Sequence, residues 1–362
     1  MAIPPQTRLQ SLDIFRGATI ASMVLVNNPG SSPAYAPLEH AAWHGWTFTD
    51  TVFPFFLWIV GVALTLSTAR RVERGEKNAQ LLRHLVQRAV IIFLLGFLLS
   101  PLPSINWSTI RIPGVLQRIA VCYLIAGAIF LYTKVRGQVL WLIGVNALYL
   151  ALMMLYPTPG CRAGSLTMDC NFARYIDSLC LTGHMWRQTK VWDPEGIIST
   201  LPAISSVLFG ILAGPLLRHY SEHAARLKYL SGGGAALVAV SYLMNIWLPF
   251  NKNLWTTSFA FLMAGLAMLV FGLWYWIADV RGHGRWFRFF EIFGTNAILM
   301  FVLSGALAKF ASRSGFHKWW YDNVCLAVAS PINASVLYAL TNVLVLWLVA
   351  WALWKKRWFI RF

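Results

Sequence analysis

The sequence predicts an all-α integral membrane protein, a polytopic bundle of about ten transmembrane helices with both chain ends in the cytoplasm. Three observations carry this. Of 362 residues, 58% are apolar and 12% are charged, against roughly 25% charged residues in soluble domains. Apolar runs near the bilayer-spanning length of about 20 residues recur along the whole chain. The basic residues fall in alternate loops, which is the pattern of a membrane protein of fixed orientation.

In hydrocarbon each backbone polar group must be bonded within its own segment or a closed barrel, and continuous apolar runs without strict alternation select helices. The spans are expected near 10–29, 48–69, 86–102, 112–133, 137–156, 196–217, 229–249, 255–277, 287–309 and 332–354. The first run is interrupted by Asp13 and Arg16 and no small-residue cleavage site follows, so it reads as a spanning helix and not as a signal peptide. One set of alternate loops carries Arg70, Arg71, Arg74, Lys77, Arg83 and Arg88, then Lys134 and Arg136, then Arg218, Arg226 and Lys228. It continues with Arg281, Arg285 and Arg288, while Arg8 precedes the first span and Lys355, Lys356, Arg357 and Arg361 follow the last. Short loops rich in Lys and Arg stay cytoplasmic. The net charge of +17 is therefore a topology signal; membrane lipid is the expected surrounding and nucleic acid is not an expected partner.

The whole chain, 1–362, is expected to form one transmembrane domain with two long outer loops, 28–47 and 157–195. Loops of this length are usually functional or disordered, and their Trp, His and paired charges favour ordered, functional ones. No inverted repeat is evident, which weighs against a transporter. Cys161, Cys170, Cys180 and Cys325 fall on the outer side, where disulfides are permitted. Cys161 and Cys170 share a loop and are the first pairing to expect, although sequence alone does not fix connectivity. Cys122, inside a span, reads as a small apolar packer.

The first outer loop is the most informative segment. Asn27 and Asp50 flank the membrane ends of the first two helices, and His40 lies between them. Together they offer an amide, a base near neutral pH and a carboxylate able to fix the imidazole tautomer. The bland alternative for His40 is an interfacial histidine bonded to loop backbone; for Asp50 it is the N-cap of the second helix, with Pro54 just inside the first turn. His44 either shares the role of His40 or packs beside Trp43. Asp13 and Arg16, three apart, form either a structural ion pair or part of an internal anion site. Arg118, with Gln117 beside it, is the second ionisable group within a span and has the same two readings. Asp193-Pro194-Glu195-Gly196 reads as an ordinary helix start. Asn251-Lys252-Asn253 reads as a polar outer cluster that bonds a sugar or caps its helix, and Asn296 lies mid-span, where its amide needs a partner, helix–helix bonding being the first reading. Metal-binding pairs, a phosphate loop and a nucleophile elbow are all missing from the sequence, so no metal site is expected.

These residues fall into recognisable runs. Leu12-Asp13-Ile14-Phe15-Arg16-Gly17, His40-Ala41-Ala42-Trp43 and Asp50-Thr51-Val52-Phe53-Pro54 resemble the heparan-α-glucosaminide N-acetyltransferase family. So do Pro113-Gly114-Val115-Leu116-Gln117-Arg118, Tyr175-Ile176-Asp177, Asp193-Pro194-Glu195-Gly196 and Asn251-Lys252-Asn253-Leu254-Trp255, in the family's order and over nearly the whole chain. The chain is similar to a bacterial inner-membrane member associated with N-acetylglucosamine utilisation, without the large N-terminal lumenal portion of the animal enzyme. The loop from Asn27 to His40 is slightly longer here, and His44 stands where the animal enzyme has asparagine.

The resemblance implies transfer of acetyl from cytoplasmic acetyl-CoA to the amine of a glucosamine-type sugar on the periplasmic side. It assigns catalysis to His40, Asn27 and Asp50. Expected contacts to acetyl-CoA are Arg16, Arg118, Gln117 and Asn296; expected contacts to the sugar are Trp43, His44, Glu195, Lys252 and Asn253. A homodimer is also a family expectation. Two alternatives stay open on the residues: an O-acyltransferase of a periplasmic glycan, since the same base activates a hydroxyl, and, in a different class, a sugar transporter.

Overall fold

The computed structural model describes residues 9–31, 34–100, 106–220 and 222–360. Arg8 and Arg361 lie outside the described residues, as do positions 101–102 of the third expected span. Among the described residues fourteen α-helices follow in order: α1 Gln10–Asn27, α2 Phe48–Glu73, α3 Asn78–Leu99, α4 Val115–Tyr132, α5 Val135–Leu155, α6 Phe172–Cys180 and α7 Ile197–His219. Then come α8 His223–Asn245, α9 Thr257–Tyr275, α10 Arg288–Thr295, α11 Ala297–Arg313, α12 Phe316–Trp320, α13 Leu326–Val328 and α14 Pro331–Lys355. The all-α bundle expected from composition is what forms.

Eight helices among the described residues have the length and apolarity to cross a membrane, and α10 with α11, bent by 71°, makes a ninth crossing if taken as one. By length and apolarity alone, eight or nine of the ten expected crossings are supported. The remaining one is α1, whose apolar run is diluted by Gln10, Asp13 and Arg16. Its place is the middle of the bundle, against α2, α9, α10, α11 and α14. A second boundary moves as well: α3 begins at Asn78, so Arg83 and Arg88 sit within a helix and not in the preceding loop. Leu81, Leu85, Ala89, Ile92 and Gly96 recur at helical spacing and are buried, and this stripe carries the helix back past its polar residues.

The central helices are α2 and α7, which bury 72% and 78% of their spanning windows, whereas α8 buries 17% and leaves its apolar side chains for lipid. Phe15, Trp58 and Phe271 bring α1, α2 and α9 together, with ring centroids 5.4 to 6.3 Å apart. α2 and α7 approach most closely at Gly61 and Gly210: a Cβ on Gly61 would strike the Val207 carbonyl, and one on Gly210 the Trp58 carbonyl. Small residues at such crossings let backbones touch where no hydrophobic driving force exists.

Alternation of the helices divides the bundle into two faces. The starts of α2, α4, α7, α9 and α14 share one face with the end of α1. The described residues of the basic loops gather at the opposite face, with the start of α1. There Asp279 accepts hydrogen bonds from the backbone N–H groups of Gln10 and Ser11, at 3.1 Å each, and so caps α1 from the far end of the sequence. Gln10 also donates to Glu291 at 3.0 Å. Replacing Asp279 with Ala should cost roughly 1–2 kcal/mol, the usual value of a lost helix cap. Thermal melting in detergent measures this; an unchanged midpoint would show that the cap does not hold α1.

Candidate active site

At the face opposite the basic loops, a cavity of about 650 Å³ is lined by Asn27, His40, Thr49, Arg111, Glu195, Lys252 and Asn253, among others. Its floor is organised by Asp50, whose carboxylate is 1% exposed. The His40 imidazole donates its Nδ1–H to Asp50 Oδ1 at 2.7 Å. The second oxygen of Asp50 accepts from the backbone N–H of Ala41 and of Thr47, both at 3.0 Å, and from the Thr47 hydroxyl at 3.2 Å. With Nδ1 as donor, Nε2 keeps its lone pair and is the basic atom of the ring. The N-cap of α2 is Thr47, and Asp50 is the third residue of the helix, completing a capping box. The helix-start reading of Asp50 is thus moved by three residues, and the same carboxylate serves both helix and histidine. Pro54 lies a turn deeper than expected and has no N–H to offer the Asp50 carbonyl.

Lys252 reaches the pair from the loop before α9. Its Nζ lies 3.0 Å from Nδ1 and 3.3 Å from Nε2 of His40, and 3.5 Å from Asp50 Oδ1. Near-equal distances to both nitrogens place the amine over the ring. Burial lowers the pKa of Lys252, and the charges of Asp50 and Glu195 only partly restore it.

Asn27 and Asn28 divide their work. Asn28 is buried and donates to the Val24 carbonyl at 2.7 Å and to the Ser304 hydroxyl at 3.0 Å, tying α1 to α11. Asn27, at the last turn of α1, opens into the cavity. Trp43 lies just behind the wall, donating its indole N–H to the Leu166 carbonyl at 2.9 Å and meeting Trp192 edge-on at 5.2 Å. His44 accepts from the Asn251 amide at 3.4 Å, and burial lowers its pKa. Trp43 and His44 therefore support the loop from behind, while Glu195, Lys252 and Asn253 face the cavity itself.

The opposite wall depends on Arg111, which was not singled out from the sequence. It holds Asp193 through two bonds of 2.8 and 2.6 Å and Glu195 through one of 2.5 Å. Burial opposes its charge, but the hydrogen bonds and charges of Asp193 and Glu195 outweigh this and raise its pKa. Asp193 is consequently not the N-cap of α7. That position is Gly196, and Asp177 of α6 supplies the acceptors, for Ile197 N–H at 3.0 Å and Asp193 N–H at 3.2 Å. The loop between α5 and α7 is further tied by the Cys161–Cys170 disulfide, the pairing its shared loop suggested. Arg111 stands two residues before the Pro113–Arg118 run, the one sequence signal that could have pointed to it.

The four residues assigned to acetyl-CoA are dispersed. Arg118 is 2% exposed; it donates to Ser199 at 2.5 Å and Gly196 at 3.3 Å, and lies over the Trp255 ring at 5.2 Å. Its Nε and Nη1 have no hydrogen-bond partner among the described residues. Gln117 is buried against Gly96 and Gly114. Arg16 pairs with Asp13 near the other end of α1. Asn296, at the break between α10 and α11, has its amide occupied by the tail: it donates to the Trp358 carbonyl at 3.1 Å and accepts from Ile360 N–H at 2.8 Å. The structure thus joins His40, Asp50, Asn27, Glu195, Lys252 and Asn253 at one cavity, with Arg118 nearby, and leaves Arg16 and Asn296 at the far face. Among the described residues no cluster of three His, Cys, Asp or Glu side chains suits a metal ion.

Burial pushes the Asp177 carboxyl up to about 6, against the two backbone donors that lower it. Between its ordinary value of 3.8 and about 6 the folded chain holds more protons than the unfolded one, so stability falls as pH rises through that window. The shift corresponds to about 3 kcal/mol at about 1.4 kcal/mol per unit. Asp177→Asn should flatten the pH dependence of thermal melting between pH 4 and 7. An identical slope in the variant would assign the effect elsewhere.

The family model described as heparan-alpha-glucosaminide N-acetyltransferase, catalytic, matches residues 8–244. A human protein named heparan-alpha-glucosaminide N-acetyltransferase is 30% identical over 358 residues, covering 83% of this chain and 53% of its own length. The mouse protein of the same name is 28% identical, covering 91% of this chain and 59% of its own. The chain spans little more than half the length of these relatives. Their origin corrects one expectation: the matched relatives are human and mouse proteins, so the assignment to a bacterial inner membrane with a periplasmic site loop does not stand. What stands is a multi-pass membrane protein, and, on the extent of these matches, the chain belongs to the heparan-alpha-glucosaminide N-acetyltransferase family.

Proposed function

We propose that this chain transfers acetyl from acetyl-CoA to the amine of a glucosamine-type sugar, with His40 as general base. The observation that carries the reading is the His40–Asp50 pair in the wall of a cavity that also exposes the Asn27 amide. An acylation needs a base for the amine proton and a donor for the oxygen that gains charge. In the transfer, the sugar amine attacks the thioester carbonyl while His40 Nε2 takes its proton. The Asn27 amide N–H donates to the carbonyl oxygen, Asp50 stabilises the imidazolium, and the proton passes to the departing thiolate. Glu195 and Asn253 supply an acceptor and a donor for sugar hydroxyls.

Acetyl-CoA is a polyanion that lipid excludes, so its phosphates belong at the basic face, which the positive-inside rule makes cytoplasmic. The acceptor then enters from the other side. From Arg16 to Asn27 a helix rises about 16 Å, roughly half the hydrocarbon thickness, a distance suited to an extended pantetheine arm. The buried guanidinium of Arg118, whose Nε and Nη1 have no hydrogen-bond partner among the described residues, is a cation available to the donor on the acceptor side.

Oriented vesicles test this: acetyl-CoA at the basic face and glucosamine at the other should yield acetylated sugar and free thiol. His40→Ala should lower turnover by at least about a hundredfold, the usual contribution of a general base, with acetyl-CoA affinity kept. Turnover near that of the parent would remove His40 from the mechanism. Arg118→Gln should weaken acetyl-CoA binding measured by calorimetry; unchanged affinity would make Arg118 structural.

A further inference from the structure

We propose that Lys252 is itself an acetyl acceptor, so that the site modifies its own lysine when no sugar occupies it. The inference rests on the acetyl-donor reading above. An external amine must come within hydrogen-bond reach of the base to be acylated. Lys252 is an amine the chain already holds against that base, with Nζ over the ring of His40 at 3.0 and 3.3 Å from its two nitrogens, so that a rotation of the flexible lysine side chain toward the ring edge brings it to the Nε2 lone pair. It lines the same cavity as Asn27, so the thioester carbonyl that Asn27 receives comes to the lysine as well. Burial favours the neutral, nucleophilic form of the amine.

The chemistry balances without another reagent. The Lys252 nitrogen lone pair forms an N–C bond to the thioester carbonyl carbon, and the C–S bond breaks. The amine proton goes to His40 Nε2 and from there to the CoA thiolate, leaving acetyl-lysine and CoA thiol. The product amide carries no charge and projects into the cavity, so one such event closes the site to sugar. A bound sugar amine competes for the same carbonyl and protects the lysine.

The test is peptide mass spectrometry of the intact, detergent-solubilised chain after incubation with isotopically labelled acetyl-CoA and no sugar. Lys252 should be labelled at least about a hundredfold faster than the exposed Lys77 and Lys318, a ratio set by general-base assistance, and glucosamine should suppress the labelling. His40→Ala should reduce Lys252 to the rate of the exposed lysines. Glucosamine acetylation is measured in parallel. If the sugar is acetylated while Lys252 is labelled no faster than Lys77 and Lys318, the inference fails and the transferase reading stands. If neither sugar nor lysine is acetylated, both fail.

Discussion

The carboxylate of Asp50 is the point on which the site turns. One oxygen holds the imidazole of His40; the other gathers the start of α2 and the backbone of the loop that carries His40. A buried carboxylate needs several donors to remain charged, and here the donors are the parts that must be aligned. Folding of the helix terminus and orientation of the base are therefore one event. Lys252, drawn to the same carboxylate, joins the loop between α8 and α9 to the loop that carries His40.

A second carboxylate arrangement builds the facing wall. Arg111 clamps Asp193 and Glu195, and Asp177 receives the backbone that follows them. The two acids it clamps leave Arg111 firmly charged, while burial leaves Asp177 reluctant to ionise. The wall is a network in which each member is satisfied by another, the condition under which buried polar groups rigidify a structure. Two polar walls at the mouth of an apolar bundle give the cavity its shape.

Much of this was legible beforehand. Helix class, the alternation of basic loops and the grouping of Asn27, His40 and Asp50 follow from composition and from the ends of the first two spans. Three things were not. α1 reads as a span in a hydropathy pattern, yet its polar turn at Gln10, Asp13 and Arg16 is answered by Asp279 and Glu291 from far along the chain, and such partners leave no local trace. Arg111 is one arginine among many until Asp193 and Glu195 fold onto it. Asn296 looked like a polar group awaiting a ligand, and its partner is the backbone of Trp358 and Ile360, a contact that no spacing rule encodes.

The modest apolarity of α1 has a consequence for how the molecule is made. A helix carrying Asp13 and Arg16 enters lipid at a cost of several kcal/mol if it enters alone. Its shelter is provided by α2 beside it and by α9, α10, α11 and α14, which lie far along the sequence. The helix is thus fully secured only when those distant segments have joined it, and with it Asn27 at its far end. Assembly of the cavity therefore waits on segments far from Asn27 in the sequence, so a chain halted before them has no working site to expose.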